Sequence, residues 1–165
     1  MTGYFYLVGE SPVKHVEREP RLWLHPMGSG NGSAQRLLGH ARWDVLTYLT
    51  VFAKRTNVLR RSVSRWFDAE IEEARENARL ILSEAKADKE CRGIVALGMK
   101  SFAALSDSSR VEPHVEPLKF YDVEATRVAL LPHTSGLNRW WNSDTHRSAA
   151  AAFLRDLYDE VRSCR

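Results

Sequence analysis

A chain of 165 residues fits one domain of ordinary size, long enough to bury a core without disulfide or metal staples. Two cysteines, Cys91 and Cys164, match neither a metal-ligand spacing nor a disulfide framework, so a reducing cytoplasmic setting is the expectation. The net charge of +3 permits a nucleic-acid partner without demanding one, and the apolar runs fall far short of the roughly 20 residues that span a membrane.

Met1-Thr2-Gly3 leads straight into Tyr4-Phe5-Tyr6-Leu7-Val8, with no basic region or cleavage site, so no signal peptide is expected. That run of aromatic and branched residues reads as a buried strand ending at Gly9. From Glu10 to Gly32 there are three prolines and three glycines, which predicts a long loop of functional type. Ser33 is placed to N-cap a short helix through Leu38. Val45, Leu46, Leu49 and Phe52 then follow helical spacing. Thr56-Asn57-Val58-Leu59 predicts a second strand, followed by the basic pair Arg60 and Arg61.

Ser64 is read as the cap of the clearest helix. Its stripe is Phe67, Ile71, Ala74, Ala78, Ile81, Leu82 and Ala85, with charged residues on the other faces. Gly93-Ile94-Val95-Ala96-Leu97 is a third strand, and Gly98 permits a tight turn into a helix from Lys100 to Leu105. Residues 106–117 read as loop. Val128-Ala129-Leu130-Leu131 is a fourth strand stopped by Pro132, and Phe153, Leu154, Leu157, Tyr158 and Val161 mark a last amphipathic helix.

Continuous apolar strands alternating with helices predict one α/β domain over residues 1–165. The expected architecture is a three-layer α/β/α sandwich around a mostly parallel four-stranded sheet. In such folds ligands bind beyond the carboxyl ends of the strands. Chemistry is therefore sought in Gly9-Glu10-Ser11-Pro12, at Asn57, and in Pro132-His133-Thr134-Ser135-Gly136-Leu137-Asn138-Arg139-Trp140-Trp141. The last segment puts a histidine, hydroxyls, a glycine and then an exposed Leu-Asn-Arg-Trp-Trp after a strand. An apolar residue beside an arginine on a loop suits a DNA wedge, and hydroxyls and amides suit phosphate. The alternative is that both tryptophans pack under the last helix and His133 is structural.

The His133–Leu137 segment resembles the second signature motif of the uracil-DNA glycosylase superfamily. That motif reads His-Pro-Ser, or Asn-Pro-Ser-Gly-Leu in the mismatch-specific branch. His133, Ser135, Gly136 and Leu137 match it, while Thr134 stands where proline is usual. Gly9-Glu10-Ser11-Pro12 is similar to the superfamily's first motif, Gly-Gln-Asp-Pro, Gly-Glu-Ala-Pro or Gly-Ile-Asn-Pro, and likewise follows the first strand. The chain looks like a bacterial or phage-borne variant branch. The four-cysteine iron–sulfur site of some branches is ruled out by the cysteine count.

The resemblance implies that His133 donates a hydrogen bond to a pyrimidine carbonyl, where charge builds as the base leaves. It implies that Ser135 touches phosphate and that Leu137 fills the gap left by a flipped nucleotide. It implies that Asn57 reads the base edge, since one amide offers both a donor and an acceptor. Ser11 replaces the aspartate of the most active branch and cannot supply its charge. Glu10 beside it is a candidate to orient water, or else a loop carboxylate; Asn57 has the alternative of a turn asparagine.

Gly9, Pro12, Tyr6 and His25 complete the expected base pocket, with Tyr6 either stacking on a base or lying in the core. Gly136, Asn138, Arg139 and Ser33 are candidate DNA contacts. The glycine-rich run ending at Ser33 lacks the Gly-Lys-Ser/Thr of a P-loop and is equally a plain linker. The expected partner is DNA carrying a flipped pyrimidine, bound by a monomer without cofactor, metal or membrane. The expected reaction is N-glycosidic cleavage. Group transfer to a flipped base, as in phage base modification, and non-catalytic binding of DNA or a nucleotide are the alternatives.

Overall fold

The apolar runs and amphipathic stretches assemble, in a computed structural model, into a sheet with helices on both faces. The structure describes residues 3–11, 32–106, 115–134 and 138–163, except for the side chains of 32–34. In chain order come β1 (Tyr4–Gly9), α1 (Gly32–Ala41), α2 (Val45–Val51), β2 (Lys54–Asn57), α3 (Asp68–Ala87), β3 (Cys91–Leu97) and α4 (Met99–Leu105). They are followed by β4 (Phe120–Val123), β5 (Thr126–Leu131), a 3-10 turn (Arg139–Asn142) and α5 (Asp144–Ser163).

The sheet order is β2-β1-β3-β5-β4. Strands β2, β1, β3 and β5 run parallel, and β4 pairs antiparallel with β5. From β1 the chain goes outward to β2, then crosses to β3 on the other side. The carboxyl ends of β1 and β3 therefore flank the topological switch point, where such folds open a crevice.

Alternation along β1 separates two cores. Tyr6 and Val8 face α3 and α4, packing with Val58, Leu59, Ala78, Ile81, Leu82 and Phe102. Phe5 and Leu7 face α1, α2 and α5, packing with Leu37, Tyr48, Phe52, Trp141, Leu154 and Leu157. No helix among the described residues is long and apolar enough to cross a membrane.

The sheet has five strands where four are expected. The missed strand, β4, turns into β5 through Glu124 and Ala125, both at positive φ (50° and 67°). That is the two-residue geometry which usually advertises itself as Asn-Gly or Asp-Gly. Without glycine the hairpin is silent in the sequence.

The stripe of α3 is also shorter than its periodicity predicts. Ala74, Ala78, Ile81, Leu82 and Ala85 are buried, whereas Phe67 is 65% exposed and Ile71 37%. Nor does Ser64 cap this helix. The chain stays extended through Phe67, and the Phe67 N–H is met by the Glu70 carboxylate reaching back 3.4 Å.

Candidate functional site

Glu10 follows β1 directly at the switch point. Its main chain stays tied to the segment after β2: Val58 N–H donates to the Gly9 carbonyl and Leu59 N–H to the Glu10 carbonyl, both at 3.0 Å. Its side chain turns toward the end of β3, where one carboxylate oxygen accepts from the Lys100 N–H at 3.2 Å. Gly98 makes the space. A Cβ there would lie 2.5 Å from the Glu10 carboxylate oxygen, and the backbone holds φ at +101°. The Gly98 N–H donates to the Leu131 carbonyl at 2.9 Å, which ties this turn to the end of β5.

Gly98→Ala therefore combines a steric clash with a backbone conformation that side chains avoid. It is expected to cost about 1–3 kcal/mol of stability and to drive the carboxylate off Lys100. Thermal unfolding reads the first effect. The second shows in a Glu10→Gln comparison, whose loss of activity Gly98→Ala should approach.

Asn57 ends β2 and pairs in register with Gly9. Asn57 lines a cavity at the β2 edge with Tyr6, Lys54, Arg55, Asn77 and Ile81. The Asn57 side chain is only 2% exposed, yet neither its amide nitrogen nor its oxygen has a hydrogen-bond partner among the described residues. Buried amides in native proteins are almost always paired, so an orphan of this kind calls for an explanation.

His133 comes off β5 after Pro132 on a braced backbone. The Trp141 ring N–H donates to the carbonyls of both Pro132 (3.2 Å) and His133 (3.0 Å). The Asn138 amide donates to the His133 carbonyl at 2.8 Å, while its oxygen accepts from the Trp140 N–H at 3.1 Å. From α1, Arg36 donates to the Thr134 carbonyl at 3.4 Å. Burial lowers the His133 pKa; the Glu10 carboxylate partly offsets this, and the Arg36 cation adds to it. The imidazole is accordingly neutral near pH 7 and carries a single ring N–H. Both motifs follow the carboxyl ends of parallel strands, β1 and β5, and so lie at one end of the sheet.

Sequence-predicted residues thus divide. Gly9, Glu10, Asn57 and His133 gather at the carboxyl ends of β1, β2 and β5. Ser11 is adjacent, but its hydroxyl donates to the Val63 carbonyl at 3.3 Å. Asn138, expected to meet DNA, spends its side chain bracing the loop; Arg139 is exposed. Tyr6 lines the same cavity as Asn57, together with Lys54, Arg55, Asn77 and Ile81, at the β2 edge against α3. It is 2% exposed in the α3-side core, and its hydroxyl donates to Asp88 at 2.9 Å, alongside that of Tyr4 at 2.6 Å. Asp88 precedes β3, so the Tyr6 hydroxyl is held away from the carboxyl ends of the strands.

Pro12, His25, Ser135, Gly136, Leu137 and the Ser33 side chain lie outside the described residues. Of the two readings of the Trp-Trp pair, exposure on a loop or packing under the last helix, the packed one holds. Trp141 is buried against His40 (ring centroids 4.3 Å apart), and Trp140 stacks on His146 (4.4 Å).

Three contributors escape the sequence reading: Gly98, the Lys100 N–H and Arg36. Gly98 had a signal, since a glycine closing a buried strand next to a motif-bearing strand marks a close approach. Arg36 had none, because its partner Thr134 is distant in the chain. Comparison of the chain with models of known protein families finds no matching family, and comparison with curated proteins likewise finds no match.

Proposed function

We propose that this chain is a DNA glycosylase-like enzyme that flips a modified or mismatched pyrimidine against the carboxyl ends of the strands, where Asn57 and His133 stand, and cleaves its N-glycosidic bond. The observation that carries the reading is the orphaned amide of Asn57. A buried donor and acceptor with no partner among the described residues suit a ligand that brings an acceptor and a donor of its own, as the edge of a pyrimidine does.

His133 and Glu10 supply the chemistry. As the bond between the sugar C1′ and the base nitrogen breaks, its electron pair leaves with the base. Negative charge then grows on the carbonyl oxygen, and a fixed neutral imidazole N–H stabilises it without being reorganised. The Glu10 carboxylate, steered by Lys100 N–H, favours the positive charge that develops on the sugar. It also orients a water whose oxygen bonds to C1′ and whose proton passes to the carboxylate. Ser11 takes no part in this step, its hydroxyl being committed to Val63. That commitment, with no carboxylate at position 11, weakens fast excision and leaves group transfer to the flipped base as the second reading.

The test uses single-stranded and duplex oligonucleotides carrying uracil, hydroxymethyluracil or other altered pyrimidines. Alkali-labile abasic sites that vanish in His133→Ala support glycosidic cleavage. An intact strand with a mass-shifted base supports transfer. Neither product with any substrate overturns both.

A further inference from the structure

The segment after β2 leaves the pocket edge and carries Arg65, Trp66 and Phe67 into α3. It is fastened to the first motif by the Leu59 N–H on the Glu10 carbonyl and the Ser11 hydroxyl on the Val63 carbonyl. The backbone is extended at Phe67, so consecutive side chains diverge. Trp66 turns inward onto the α3-side core, and Phe67 turns out to solvent at 65% exposure.

One helical turn on, Ile71 is also exposed and extends the apolar strip beside the ring. A large aromatic in that position contributes nothing to the core, and its side chain makes no cap hydrogen bond.

The charge around it is mixed, with Arg65 and Lys100 beside the acidic start of α3, where Glu72 lies 3.8 Å from Arg75. Arg65 and Lys100 are exposed, and the Lys100 ammonium lies 5.3 Å from the centroid of the Trp66 ring. Glu70 is turned back on the Phe67 N–H, and Glu73 is paired with Arg61 at 2.5 Å. Asp68 is the remaining carboxylate of that turn. Lys100 links this surface to the site, since its N–H holds Glu10 while its side chain covers Trp66.

We propose that Phe67 and Ile71, flanked by Arg65 and Lys100, form a docking platform for an unpaired DNA strand running out of the pocket, so that the substrate is single-stranded. An exposed ring reads the flat face of a base, which is available only when the base is not stacked in a duplex, and flanking cations follow the phosphates. This inference rests on the base-pocket reading and names the strand state that reading leaves open.

Fluorescence anisotropy with a labelled oligothymidylate of about a dozen nucleotides, alone or annealed to its complement, tests it. The single strand is expected to bind more tightly. Phe67→Ala should weaken that binding by roughly fivefold to a hundredfold while leaving the duplex little changed. Phe67→Leu, which keeps apolar bulk for the fold but loses the flat ring, should weaken it likewise. Lys100→Gln should reduce the salt dependence by about one phosphate contact. Leu46→Ala, at a 74% exposed position on α2 in the opposite layer, should change nothing.

Tighter binding of the duplex, or equal losses in Phe67→Ala and Leu46→Ala, would overturn the platform. A chain that binds oligothymidylate through Phe67 but makes no base product keeps the platform and loses the proposed chemistry. One that excises bases from duplexes unaffected by Phe67→Ala keeps the chemistry and loses the platform.

Discussion

Replacing His133 by alanine is expected to slow base release by about 10²–10³-fold, the usual worth of one preorganised donor aimed at a developing anion. The size follows from the environment. The ring is largely buried, so its hydrogen bond forms in a medium that screens weakly, and its backbone is held by Trp141 and Asn138 before any ligand arrives.

Burial keeps the folded pKa below the ordinary 6.5. As pH falls, the unfolded chain therefore binds this proton first. Stability contributed by His133 is lost from 6.5 down to the folded pKa and no further below it. Over that range the neutral donor persists in the folded protein, so activity should hold to lower pH than a solvent-exposed histidine allows.

The neighbours act in opposite directions. Arg36→Ala removes a cation and should raise the His133 pKa; Glu10→Gln removes an anion and should lower it further. An NMR titration of the imidazole resolves both without needing turnover. Added salt should shrink the Arg36 effect, because that side chain is exposed. Shifts of the same sign in both variants would contradict the electrostatic account of the site.

What could be read from the sequence was whatever local pattern determines. The apolar runs of β1, β3 and β5 have one physical solution, a sheet buried on both faces, and two short motifs after parallel strands must meet at one end of it. What could not be read depends on partners far along the chain. Tyr6 sits on the right strand, but its hydroxyl goes to Asp88, and no local pattern announces that bond. Trp140 and Trp141 looked like exposed apolar residues in a polar loop. His146 and His40, from two different helices, give them faces to stack on. Phe67 continued a helical stripe in periodicity, yet it stands before the first turn of α3, where the stripe no longer meets the sheet.

Asn57 provides the sharpest separation between a residue kept for the fold and one kept for a ligand. A buried amide that pairs with nothing costs roughly 1–3 kcal/mol of desolvation. Asn57→Leu, of similar outline, removes that cost and adds apolar surface beside Ile81 at the cavity edge. It is expected to raise stability by about 1–3 kcal/mol, measured by denaturant unfolding.

The same substitution should damage base recognition severely. Two groups on the pyrimidine edge would be stripped of water and left unpaired, which predicts a loss of roughly 30- to 10⁴-fold in kcat/KM. A structural asparagine behaves in the opposite way, since its removal lowers stability and affects activity only through unfolding. A rise in stability accompanied by a fall in activity is the pattern a ligand-reading amide requires. A Leu variant less stable than the parent would show that Asn57 has a partner in the folded chain, and would remove the observation on which the pocket rests.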